Sequence, residues 1–501
     1  MSPSADRPVP APMPHVVVVG GGIAGLAAAA RLTGVTGDGV PRARVTVLEA
    51  DARTGGKLLG GEVGGVPVDL GAESLFAARP GAFDLARRVG LGADVEAPLT
   101  SAAAVWTRGA LRELPKGQLM GIPGDLDALA ASGVLSPEGV IRACWDLQLP
   151  RTEVGEDIAI GPYVAARMGR EVVDRLVEPL LGGVYAGHAD ALSLRAALPR
   201  LLPVARETRS LAEGVRELLG RGGGQMPAGA ERPGFRTVRG GMGRLPEAVA
   251  EACRAAGADI RTGTEVRELC RTGRGWLIRT EASRGGAADG GPGGDGAADG
   301  LVADELVADG VVLAVPAPVA ARLLAGEAPG AAADLAAVEY ADMALVTLVF
   351  RRSGLAAVPS GSGFLVPPVD GRTIKAATFF SNKWRWSAEA APDAFVVRTS
   401  VGRHGEDTAR VLDDAELVAR ARADLAEAAG LGSVPYATAV TRWPAGLPQY
   451  PVGHFARVER IRELTDKLGG LALCGAAYDG VGIAACVAGG ERAAGTVVPT
   501  A

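Results

Sequence analysis

The run His15-Val16-Val17-Val18-Val19-Gly20-Gly21-Gly22-Ile23-Ala24-Gly25 decides the fold. Residues 15–19 are almost all valine, as in a strand buried within a sheet. Residues 23–32 are apolar and alanine-rich, and read as a helix. Between them stands a GxGxxG motif. Gly20 permits the tight turn, Gly22 lets the backbone approach a pyrophosphate, and Gly25 lets helix and strand pack closely. The first N–H groups of such a helix lack partners within it, so together with the helix dipole they offer an anion seat. Residues 43–48 read as a second strand, completing a βαβ unit that ends on Glu49. A carboxylate there can accept hydrogen bonds from ribose hydroxyls. The spacing from Gly25 to Glu49 is long, and the turn-rich loop 33–41 accounts for it. Gly20, Gly21, Gly22, Ile23, Ala24, Gly25 and Glu49 are therefore candidate contacts of a dinucleotide cofactor.

Just beyond Glu49 comes Ala50, then Arg53-Thr54-Gly55-Gly56-Lys57, two cations flanking two glycines. Close backbone approach plus fixed positive charge suits a flavin pyrophosphate and its surroundings, which adds Ala50, Arg53, Gly56 and Lys57. Further on stands Val68-Asp69-Leu70-Gly71-Ala72-Glu73-Ser74.

The chain has 501 residues, 48% of them hydrophobic, which predicts two or three lobes with separate cores. Its net charge of −5 argues against a broad electropositive face for nucleic acid. Five cysteines, odd in number and scattered, predict neither a disulfide framework nor a zinc site, and no metal is expected. The uncharged stretch 16–30 is shorter than the roughly 20 residues of a membrane span, and a triple glycine interrupts it. No transmembrane segment is expected, and a reduced, cytoplasmic residence follows.

Hydrophobic patterning predicts an α/β and α+β multidomain chain. A discontinuous doubly wound, Rossmann-like domain takes residues 13–79, 235–320 and 455–498. Residues 80–234 form a mainly helical lobe, and residues 321–454 a mixed-sheet substrate domain. The stretch 283–300, almost all Gly, Ala and Asp, is expected to be a disordered extension, and residues 1–14 a mobile tail.

Several further stretches carry a family resemblance. They are Glu178-Pro179-Leu180-Leu181-Gly182-Gly183-Val184-Tyr185-Ala186-Gly187 with Leu192-Ser193, Arg442-Trp443-Pro444 with Leu447-Pro448-Gln449-Tyr450 and Gly453-His454, and Gly480-Val481-Gly482-Ile483. With the Gly71 motif, they resemble the bacterial coproporphyrinogen III / protoporphyrinogen IX oxidase branch of the FAD-dependent amine oxidase superfamily, over nearly the whole chain. The resemblance implies non-covalently held FAD. It places Gly71, Ala72, Glu73 and Ser74 near the isoalloxazine ring, Val266 at the adenine, Trp443 along the flavin, and Val481, Gly482 and Ile483 at the ring's pyrimidine end. It implies Arg79 as a propionate contact; a surface arginine at a helix start is the equally weighted alternative. The implied partners are a porphyrinogen substrate, molecular oxygen, and a downstream haem-pathway enzyme, with residence extending to the membrane periphery. No catalytic acid or base is assigned, and the dispersed histidines read as structural. Coproporphyrinogen III is the favoured substrate and protoporphyrinogen IX the alternative; an amine or carotenoid oxidase and a non-enzymatic carrier on the same fold remain as competing classes.

Overall fold

At the centre of the computed structural model lies a five-stranded parallel sheet. The structure describes residues 13–76, 81–222, 234–282 and 304–498. The strands are β1 (His15–Val19), β2 (Arg44–Leu48), β3 (Asp259–Arg261), β4 (Gly310–Leu313) and β5 (Leu471–Leu473). They lie in the spatial order β3-β2-β1-β4-β5, every neighbouring pair parallel. Strand order therefore reverses between β1 and β4, and in doubly wound sheets ligands bind outside the strand C-termini at that point.

Three helices cover one face: α1 (Ile23–Leu32), α2 (Arg244–Ala255) and α3 (Ile483–Val497). Every residue of α1 except Arg31 is buried, so its alanines act as packing surface. Helix α3 lies so close that a Cβ on Gly490 would stand 2.1 Å from the Ala24 carbonyl oxygen. This contact draws the last helix onto the first. The other face packs on an antiparallel unit (Thr264–Thr272, Gly275–Ala282 and Asp304–Ala308) and on helices Ala317–Leu324, Pro329–Ala336 and His454–Asp466.

The second large sheet has seven strands, ordered Ala437–Pro448, Tyr340–Arg351, Ala394–Val401, Ile374–Phe379, Gly363–Leu365, Ala103–Thr107 and Ala110–Glu113. Its outer face, with Val346, Val397, Val401, Ala377 and Phe364, packs on helix Asp414–Ala429. The inner face differs. Thr441, Leu345, Ser400, Ala376 and Leu365 form one cross-strand row, and all are only partly buried. Helix Glu178–Tyr185 lies over this face, and a Cβ on Gly183 would be 3.6 Å from Leu365 Cδ2.

Two expected boundaries need correction. The segment 80–234, expected as a mainly helical lobe, also carries Ala103–Thr107 and Ala110–Glu113, a hairpin that extends the seven-stranded sheet. These strands are short, and a parallel pairing with Gly363–Leu365 holds them, a contact local sequence cannot show. The boundary at residue 321 cuts helix Ala317–Leu324, and the helix Pro329–Ala336 after it belongs to the parallel-sheet side. The expected extension at 283–300, the first twelve residues and Arg79 lie outside the described residues.

Candidate active site

A cleft of about 620 Å³ opens at the C-terminal ends of β1 and β4. Gly20 turns the chain out of β1 with φ of +104°, and a Cβ there would meet the Ala314 carbonyl oxygen at 2.6 Å. A Cβ on Gly25 would be 2.0 Å from the Gly20 oxygen. Only glycine fits either position. Gly22 is different: a Cβ there meets nothing within 4 Å, so its lack of a side chain leaves open cleft rather than relieving a clash. Gly22 is the N-cap of α1 and supplies no side-chain cap, and Gly22, Ile23 and Ala24 at this helix N-terminus line the cleft.

Glu49 stands beside this loop. Its Oε2 accepts from the Gly21 amide at 2.6 Å and its Oε1 from the Asp51 amide at 2.8 Å. Burial raises its pKa, with the two amide bonds opposing. The loop after β2 leans on the glycine turn through Gly55 N to Gly21 O at 2.8 Å. Arg53 folds back onto its own loop, donating to the Thr54 and Gly56 carbonyls, and does not line the cleft. Lys57 does line it; burial lowers the amine's pKa, and among the described residues no carboxylate pairs with it.

The remaining candidates divide. Ile23, Ala24, Ala50, Gly56, Ala72, Val266, Trp443, Val481 and Ile483 line the cleft. The Trp443 indole donates to the Leu70 carbonyl at 3.1 Å, tying the second sheet to the Gly71 loop. Gly482 is the N-cap of α3, again with no side-chain cap, so a second open helix N-terminus borders the same cleft. Gly71 passes so close to Lys57 that a Cβ would sit 2.0 Å from its carbonyl oxygen. Glu73 does not face the cleft. Its two oxygens are taken by Lys383 at 2.6 Å and Arg398 at 2.7 Å. Burial disfavours its charge, but these two cations outweigh that and hold its pKa down. Ser74 follows it and lies off the cleft. Sequence reasoning missed Tyr340, Ala314, Pro316 and Leu447 in the cleft wall. Leu447 lies in a stretch that carried the resemblance, whereas no motif marks Tyr340, Ala314 or Pro316.

The stretches that carried the resemblance meet in space. The Gln449 side chain donates to the Tyr185 carbonyl at 3.0 Å, and a Cβ on Gly187 would strike Gln449. Ser193 N donates to the Tyr450 carbonyl at 2.9 Å. His188 bonds Glu178, and His454 stacks on Tyr450 at 4.1 Å between ring centres. The histidines thus have structural partners.

A parallel sheet with a glycine turn, a carboxylate at the end of the second strand and two open helix N-termini defines a dinucleotide-binding oxidoreductase fold. The cleft has room and donors for such a group. A family model for flavin containing amine oxidoreductases matches residues 23–498. The chain belongs to that family, and its cofactor is a flavin. It is 34% identical over 483 residues to a coproporphyrinogen III oxidase of Mycobacterium tuberculosis (strain ATCC 25618 / H37Rv), covering 96% of each chain. It is 30% identical over 481 residues to a coproporphyrinogen III oxidase of Bacillus subtilis (strain 168), covering 96% of this chain and 97% of that one. A crystal structure from Exiguobacterium sp. 255-15, of a protein provisionally named protoporphyrinogen oxidase, superposes with a TM-score of 0.81 at 31% identity, over 97% of this chain and 99% of that one. No described helix is long and apolar enough to cross a membrane.

Proposed function

We propose that this protein is an FAD-dependent oxidase converting coproporphyrinogen III to coproporphyrin III in haem biosynthesis, with molecular oxygen as final electron acceptor. Full-length likeness to the coproporphyrinogen III oxidases of two bacteria supports the reading. So does one observation of the structure: the partly buried inner face of the seven-stranded sheet runs from Trp443 in the cleft wall to beneath helix Glu178–Tyr185. That surface is mainly apolar, with Met343, Leu345, Leu365 and Ala376 beside Thr441 and Ser400, which suits a tetrapyrrole.

The open N-termini of α1 and α3 would hold negative charge of the cofactor, Glu49 its ribose, and Lys57 an anionic group nearby. When bound, the flavin supplies two-electron oxidation, accepting hydride and returning the electrons to oxygen as hydrogen peroxide. The chain's own task is then positional. The apolar inner face would hold a methylene bridge of the porphyrinogen toward the cleft and keep water away. Six electrons and six protons leave the substrate in three such steps, reducing three oxygen molecules to three of peroxide. Aromatisation drives the sequence, and no side chain is assigned as general base. The product would pass to a later enzyme of the pathway, from a cytoplasmic site.

Protoporphyrinogen IX is the second substrate, favoured by the name given to the Exiguobacterium protein. The test is an anaerobic-to-aerobic assay with both porphyrinogens, read by porphyrin fluorescence and peroxide release. Faster turnover of coproporphyrinogen III is expected. Equal rates would remove the substrate choice, and preference for an amine would overturn the reading.

A further inference from the structure

Lys375 lies at a β-bulge. Ile374 stands opposite Val401 and Ala376 opposite Ser400, so Lys375 is the extra residue between them. Bulges re-aim side chains, and they concentrate next to active sites. Here the bulge sends the amine inward: Nζ is 2.9 Å from Met343 Sδ and 3.4 Å from the Gly182 carbonyl oxygen. Met343 pairs with Trp443 of the cleft wall, and Gly182 belongs to the helix over the inner face. The amine therefore stands between the inner face of the sheet and helix Glu178–Tyr185, and Met343, which it touches, is the strand partner of Trp443 in the cleft wall.

Arg403 lies behind it. Both residues are buried, at 4% and 5% exposure. The Arg403 guanidinium donates to the Val366 carbonyl at 3.2 Å and reaches Glu406 only at 3.5 Å. Among the described residues, no carboxylate is within ion-pair distance of Lys375. Two buried cations thus share one peripheral carboxylate. A buried charge without a counter-ion is costly, so such an amine either gives up its proton or takes an anionic partner. Burial, and then the repulsion of Arg403, push the Lys375 pKa down to about 7, while Glu406 opposes. The empty site therefore holds its amine close to neutrality, and an arriving carboxylate favours the charged form.

We propose that Lys375 and Arg403 form a seat for one propionate carboxylate of the tetrapyrrole. This rests on the function proposed above and adds how the ring is oriented: the anchored edge lies under helix Glu178–Tyr185, and the apolar part faces the Trp443 wall. A Lys–carboxylate contact of this type is worth about tenfold or more in affinity.

The test compares wild type, Lys375→Met and Lys375→Arg in the flavin-loaded protein. Binding of coproporphyrin III and of its tetramethyl ester is read by porphyrin fluorescence, beside KM and kcat for coproporphyrinogen III. Lys375→Met is expected to weaken binding of the acid and raise KM about tenfold or more, with ester binding and kcat within twofold of wild type. Lys375→Arg should recover most of the loss. Equal weakening for acid and ester overturns the seat. So does a fall in kcat with KM unchanged, which would make Lys375 a proton acceptor. Should Lys375→Met fail to fold, Lys375→Gln replaces it under the same criteria. A wild-type protein that neither binds coproporphyrin III nor oxidises coproporphyrinogen III overturns the substrate reading itself; a wild type that does both beside a silent Lys375→Met overturns only the seat.

Discussion

Arg398 Nη1 stands 2.7 Å from Glu73 Oε2, while its Nη2 donates to the Gly71 carbonyl at 2.8 Å. One guanidinium on the second sheet thus grips both the side chain and the backbone of the loop that borders the flavin cleft. Lys383 holds the other Glu73 oxygen. Relative placement of cofactor and substrate surfaces therefore depends on an ion cluster that touches neither.

Glu73→Gln should leave two cations short of their counter-charge. Breaking a buried pair from one side costs on the order of 3 kcal/mol. A clear drop in urea midpoint is expected, with the flavin retained less tightly. An unchanged midpoint would show that the cluster is solvated and contributes little.

Gly22→Glu and Gly25→Val should fail differently. At Gly22 a Cβ has open space, so Gly22→Glu should fold and be isolated colourless, its carboxylate occupying the anion seat. At Gly25 a Cβ collides with the Gly20 oxygen, so Gly25→Val should lose stability as well as colour. Absorbance near the flavin bands and thermal melting separate the two, and a yellow Gly22→Glu would displace the anion seat from α1.

Acid should loosen the cleft through His454. Its ring is buried, bonds the Ala477 carbonyl at 3.0 Å, and has its pKa lowered to about 4 by burial, with Arg457 adding to the shift. A histidine depressed in the fold stabilises above its unfolded pKa near 6.5, and that stability is lost as pH falls toward 4. Ala476 and Ala477 line the cleft. Flavin release, followed by its fluorescence, should rise across that window, and His454→Gln should flatten the profile.

Asp69 has the opposite sign. Burial raises its pKa to about 7, against Arg398, and its Oδ2 has no hydrogen-bond partner. A carboxyl raised in the fold stabilises below its unfolded pKa near 3.9, and that contribution disappears as pH climbs through 7. Asp69→Asn should therefore be more stable than wild type at pH 8 and close to it at pH 5. Equal melting temperatures at pH 8 would count against a buried, protonated Asp69.

What could be read from residue order alone was local. Valines at 16–19, glycines at 20, 22 and 25 and the acid at 49 announce a βαβ unit and its phosphate turn, because each role is filled within one short segment. The structure places Gly20, Gly22 and Glu49 around one cleft. What local order could not show depends on chain crossing. The hairpin at 103–113 joins the seven-stranded sheet because Gly363–Leu365 lies beside it. Glu73 reads as a cleft residue in its motif, and becomes a clamp because Lys383 and Arg398 reach it from more than three hundred positions away. Lys375 carries no motif at all; a one-residue bulge in a sheet assembled from distant strands aims its charge inward. Backbone turns obey near neighbours, whereas burial, counter-charge and side-chain direction belong to whatever the rest of the chain brings alongside, and tertiary structure alone decides that.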